Sequence, residues 1–163
     1  MKGSQKLLLA GGLALALWGM SYGLWYALFA EHQQLEGIGR SLAAAFAASA
    51  DRNLPGAQAA LGEYRATKYV YERHLDVHGH WIGLAMVLIV LSFAFDRVRL
   101  SEQARFWLAG TLLLGAAVFP LGVLLQTLNL GAVSKGLAVA GSALEIAALL
   151  VVALGFWRDR RAA

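Results

Sequence analysis

Polar and apolar positions along this chain fall into long blocks. Four blocks are almost wholly apolar, at 7–30, 79–95, 106–127 and 136–157. A hydrocarbon layer about 30 Å thick is crossed by roughly 20 apolar residues in a helix. The pattern therefore predicts an all-α integral membrane protein, a four-transmembrane-helix bundle forming a single membrane domain. Between the first and second spans, residues 31–76 change character. Leu35, Ile38, Leu42, Ala45 and Phe46 recur at helical spacing, which gives a short helix with one apolar stripe. Asp51-Arg52-Asn53 interrupts it, and Pro55 suits the first turn of a second helix. On that helix Leu61, Tyr64, Tyr71, Leu75 and His78 share a face. This helix is expected to run on into the second span, which would make it about 60 Å long at 1.5 Å per residue. Gly79 offers a place for a kink at the water boundary.

The remaining connections are short. Residues 96–105 make spans two and three antiparallel neighbours. In the third span Pro120 withholds its N–H from the carbonyl of Ala116. The first apolar run follows Lys2 and Lys6, as in a signal peptide. At about 24 residues it exceeds the apolar core of such a peptide, and Leu28-Phe29-Ala30 is a poor cleavage site. A retained span is expected.

Composition narrows the class. The chain is 59% hydrophobic and 15% charged, against about 25% charged in soluble domains. With no cysteine, disulfides, thiolate metal sites and cysteine-held iron–sulfur clusters are excluded. The net charge of +4 is distributed by side. Eight basic and three acidic residues flank one set of span ends, six of each flank the other, and Glu145 lies inside a span. Basic residues stay cytoplasmic. Both termini and the 96–105 loop are thus expected inside, with 31–76 and 128–135 outside. Such placement argues for a lipid bilayer as partner and against nucleic acid.

All four histidines fall on the outer side. His74 and His78 are four residues apart and stack on one helical face, a spacing that can chelate a metal through two imidazoles. His78 and His80 would point about 200° apart on a continuous helix, and could share an ion only if the backbone is not helical near Gly79. His32 closes the first span on the same side, and Gln126 closes the third. The metal candidates are therefore His74, His78 and His80, and a bound cofactor would add His32. Haem b is the sharper form of this reading, because Gly79 and Gly83 flank His80 and leave space for a flat ring. A copper-like transition metal is the other form. Solvated imidazoles with no cofactor stand beside both as the structural alternative.

Glu145 lies about ten residues from the outer end of the fourth span, near mid-bilayer. A charge there costs roughly 2.5 kcal/mol or more, so an inward-facing, neutral carboxyl is expected. Ser21, Tyr22 and Tyr26 sit at depths suited to hydrogen-bonding it. The alternatives are a proton relay and a carboxyl that glues helices together. No paired carboxylates, phosphate-cradling glycine loop or nucleophilic triad is present, so no catalytic residue is assigned. The pairs Gly19/Gly23 and Gly79/Gly83 allow close helix approach, by self-association or with another membrane protein.

The stretch Val77-His78-Gly79-His80-Trp81-Ile82-Gly83-Leu84-Ala85-Met86, with Phe119-Pro120-Leu121-Gly122 and Gly141-Ser142-Ala143-Leu144-Glu145-Ile146, resembles small bacterial inner-membrane proteins. In these the second span opens with H-x-H. The resemblance covers about half the chain. It implies a multi-pass protein of the bacterial plasma membrane, in layout similar to haem- or copper-associated accessory proteins. Three functions are carried forward. The first is an accessory or electron-transfer subunit with a His-lined outer site. The second is a structural scaffold that binds a membrane protein through its outer helices. The third is a small transporter or proton-conducting unit using Glu145.

Overall fold

A computed structural model describes residues 1–128 and 130–160. Its elements are all helical: α1 (Gly3–Phe29), α2 (Glu31–Ala50), α3 (Leu54–Ala94), α4 (Glu102–Leu125) and α5 (Ala132–Arg160), with 3-10 turns at Phe95–Arg97 and Gln126–Leu128. Four helical stretches are long and apolar enough to cross a membrane: Gly3–Phe29, Leu54–Arg97, Glu102–Leu128 and Ala132–Trp157. At most 39% of the apolar window in any of them is buried inside the protein. Leu17, Trp107, Val139 and Leu154 are among many large apolar side chains that point outward. A bundle built for water confines its apolar residues to an inner stripe. These helices are apolar on both faces.

Local sequence sets the breaks. Ala30 stands between α1 and α2 at φ −122°, ψ −34°. Asp51, Arg52 and Asn53 form the turn before α3, with Arg52 in the left-handed region at φ 55°. The Asn53 side chain accepts a hydrogen bond from the N–H of Gly56 at 3.1 Å, satisfying one of the first-turn donors a helix leaves open. Pro55 sits in that turn, where its missing N–H costs nothing. From there α3 continues as one 41-residue helix. Gly79 does not interrupt it. Ser101 caps α4, its hydroxyl accepting from the N–H of Ala104 at 3.2 Å. Pro120 lies inside α4 without ending it. Gly131, at φ 57°, turns the chain into α5.

The chain forms two compact units. The first holds Met1–Met20 and Asp76–Ala163. Its core includes Leu8, Leu88, Phe95, Leu108, Leu112, Ala116, Ala148 and Val152. On α5 positions 134, 138, 141, 145, 148, 152 and 155 are all buried, in alternating steps of four and three. That is the seam period of left-handed helix packing. Small residues let α4 and α5 touch. A Cβ on Gly122 would fall on the backbone of Ala138, and one on Gly141 would fall on the backbone of Phe119. On the other side of the unit α1 approaches α3 at glycines in the same way. A Cβ on Gly12 would lie 2.8 Å from Ile89 and one on Gly19 3.0 Å from Trp81.

One end of this unit is closed by polar contacts. Glu102 accepts from the N–H of Ser4 at 2.9 Å, and Gln5 donates to the carbonyl of Ser92 at 3.1 Å. Arg105 is buried, donates to the carbonyl of Asp96 at 2.7 Å, and pairs with Glu102 at 3.0 Å. The second unit, Ser21–Leu75, is a helical hairpin. Its α3 segment turns Ala57, Ala60, Tyr64, Thr67, Tyr71 and His74 inward, again in steps of three and four. A Cβ on Gly37 of α2 would lie 3.2 Å from Thr67.

Candidate functional site

The four histidines meet four different surroundings. In the second unit His32 is solvent-facing and pairs with Glu36 at 2.9 Å. His74 is half-buried among aromatic rings. Its Nδ1 is hydrogen-bonded to the Tyr22 hydroxyl. The Tyr26 ring is stacked on its imidazole with centroids 4.7 Å apart and planes at 16°. Tyr26 also packs on Tyr71, at 6.5 Å, and its own hydroxyl is buried with no hydrogen-bond partner among the described residues. Ser21, the other hydroxyl expected at this level, is exposed.

In the first unit His78 faces α1. Its Nδ1 lies 3.0 Å from the carbonyl oxygen of Gly19. A carbonyl only accepts, so Nδ1 is the donor. Gly19 makes this approach easy, since α3 packs against it at Trp81 and Ile82. His80 points the other way. It is exposed, with its ring 4.7 Å from that of Phe119 on α4 and tilted by 46°. Because α3 is helical through Gly79, His78 and His80 lie on opposite sides. The condition under which the two could share one ion is not met. Among the described residues no three of His, Cys, Asp and Glu come together as a metal-binding group.

The outward face that carries His80 has a shape of its own. Gly79 and Gly83 would each meet no atom within 4 Å if they bore a Cβ. One and two turns further along, Met86, Val87, Val90 and Leu91 line a wholly apolar groove of about 400 Å³. An imidazole, an open glycine surface and an apolar trough thus follow one another on one side of α3.

Glu145 sits where α5 meets α4. It is 4% exposed, and neither carboxylate oxygen has a hydrogen-bond partner among the described residues. Ser21, Tyr22 and Tyr26 belong to the other compact unit. The carboxyl instead occupies the space of a missing side chain, for a Cβ on Gly115 would lie 2.8 Å from its Oε2. Gln126 stands at the start of the 3-10 turn after α4, partly buried and engaged.

One feature escaped the sequence reading. Gly37, Arg40, Ser41, Glu63 and Thr67, with Ala44 and Ala66, line a mixed polar and apolar groove of about 560 Å³ between α2 and α3. Its members are far apart in sequence and come together only through the register of the hairpin. The charged pair Arg40 and Glu63 was the available signal, and it looked like ordinary solvated surface. Comparison with family models, with curated proteins and with solved structures found no match.

Proposed function

We propose that this chain is a multi-pass accessory subunit of the bacterial plasma membrane, with both termini cytoplasmic, that holds a haem or a transition metal through His80. The observation that carries the reading is the exposed face of α3. There His80 stands beside two glycine positions with open space, above a purely apolar groove. Phe119 restrains the imidazole from one side. Restraint of that kind is what a ligating side chain needs. A flat macrocycle fits glycines and an apolar trough, and the imidazole supplies the donor atom. A haem bound there would provide one-electron transfer. The protein's own share is to orient the ligand, shield one face of the ring from water and exclude a competing side chain. His78 has a different role in this reading: it ties α3 to α1 through the Gly19 carbonyl.

The test is the visible spectrum of protein purified from cells with ample haem supply, together with elemental analysis for metals. A Soret band, or a stoichiometric metal, that is lost in His80→Ala and in Gly83→Leu but kept in His78→Gln supports the reading. A colourless wild-type protein without metal overturns it.

A second reading has a specific observation behind it. On the hairpin Leu35, Phe46 and Leu54 are exposed, Phe46 by 74%; Leu35 and Phe46 share one face of α2, turned away from the groove of Arg40 and Glu63. Exposed aromatic and aliphatic side chains are what a protein partner recognises. In this reading the hairpin is a scaffold for another membrane protein. Copurification of a partner that is lost on Phe46→Ser supports it, and unchanged recovery of that partner counts against it.

A further inference from the structure

A carboxyl buried among apolar helices normally buys a hydrogen bond across them. Glu145 makes none. Both oxygens are sealed from solvent, and no donor reaches them among the described residues. A helix-joining role through a hydrogen bond therefore finds no support in the geometry. Yet the chain makes room for this group. Gly115 has no side chain where the carboxyl lies, and a Cβ there would also press on the Glu145 N–H at 3.0 Å. A buried polar group left without partners costs stability. A Leu or Met at this seam position would avoid that cost. Retention of the acid points to chemistry.

The surroundings decide which chemistry. On α4 no titratable side chain lies between Arg105 and the helix end, and on α5 none but Glu145 lies between Lys135 and Trp157. Lys135 is ten residues away along α5, and Arg105 is ten residues from Gly115 along α4. The turn bearing Asp96 and Arg97 meets α5 near Gly155, another ten residues away. Each is about 15 Å distant along a helix axis. The ring of His80 on α3 meets Phe119, one turn along α4 from Gly115, but among the described residues no donor is hydrogen-bonded to the carboxyl, and an isolated charge in so dry a place is costly. The seam holds the acid by being small rather than by gripping it. Gly115 and Gly141 let the facing backbones come close, and Ala148 is buried one turn on.

We infer that Glu145 is a proton-binding site in the α4–α5 seam, one that carries its proton in the bundle and exchanges it with water. The ligand is the proton itself, since no donor set for a metal or organic cation surrounds the carboxyl. This inference is independent of the His80 reading, and either can fail without the other.

Infrared spectroscopy of the full chain in lipid tests it. At about pH 6 exposed carboxyls are ionised, so a protonated C=O band reports a buried acid. Expected is one such band at the high-frequency end of its range, as for a carboxyl without a hydrogen bond. It should shift on transfer to D₂O and vanish in Glu145→Gln. Beyond its titration point its intensity should fall about tenfold per pH unit. A wild-type spectrum without the band overturns the inference. So does a band that does not respond to D₂O, because the proton would then be trapped. Should Glu145→Gln not fold, Glu145→Asp gives a second assignment by displacing the band. A band unmoved by that change belongs to another residue and likewise overturns the inference.

Discussion

His78 and His80 show what residue spacing does and does not convey. Their separation fixed opposite directions on a helix, and the structure has them on opposite sides of α3. Their partners were not legible. The carbonyl of Gly19 and the ring of Phe119 depend on which turn of α1 or α4 lies opposite, and side-chain spacing on α3 holds no information about that. Glu145 is a similar case. Depth suggested hydroxyl partners on the first span, but its angular position belongs with Ala138, Gly141, Ala148 and Val152. That run of small seam residues was the available clue. It implies a close coupling between two positions far apart in sequence. Gly115→Ala should destabilise the protein by about 1–3 kcal/mol, the usual cost of overpacking. In a Glu145→Ala background the cost should fall, though not to zero, because the new methyl still meets the carbonyl of Gly141. Thermal melts of the four proteins in one detergent measure the coupling. Strict additivity would mean that the carboxyl does not occupy that space.

At the scale of elements, the break at 51–53 and the start of a helix at Pro55 were readable because turn residues and proline carry local meaning. The course of α3 through Gly79 was a choice between a kink and continuity. Continuity follows from helix-favouring residues on both sides of one glycine, whose cost is only about 1 kcal/mol. What no local rule supplies is the closure of the 95–101 turn. Arg105, one turn into α4, reaches back to the carbonyl of Asp96 and pairs with Glu102. Arg105→Ala should cost about 1–3 kcal/mol, since the part-buried carbonyl of Asp96 and the Glu102 carboxylate lose their shared donor. Arg105→Lys should recover little of this, because an ammonium cannot span both acceptors as a planar fork does. Denaturation midpoints of the two variants, matching within error and both below wild type, are the expected result. Full recovery by Lys would reduce the contact to simple charge.

For the whole molecule, hydropathy blocks gave four crossing-length helices. The helical hairpin within 31–76 was legible too, from an apolar stripe on each of its two helices; the division into two compact units was not, because it depends on which helix segments pack on one another. Orientation rests on the charge asymmetry alone, and the absence of cysteine makes it directly measurable. A single cysteine at Asn53 should react with a membrane-impermeant maleimide in intact cells. One at Arg99 should react only after the membrane is opened. The reverse pattern would invert the topology and place the histidine end in the cytoplasm.

Ribosomes make a chain from one end only. The carboxylate that receives the Ser4 N–H belongs to a residue 98 positions later. While α1 is being synthesised, then, Ser4 and Gln5, buried in the finished protein, stand bare; Gln5 waits for Ser92 and Ser4 for Glu102. An early helix is thus fastened late at this end. A nascent chain arrested before Glu102 should remain open to protease at its leading end, and one released after α4 has emerged should not.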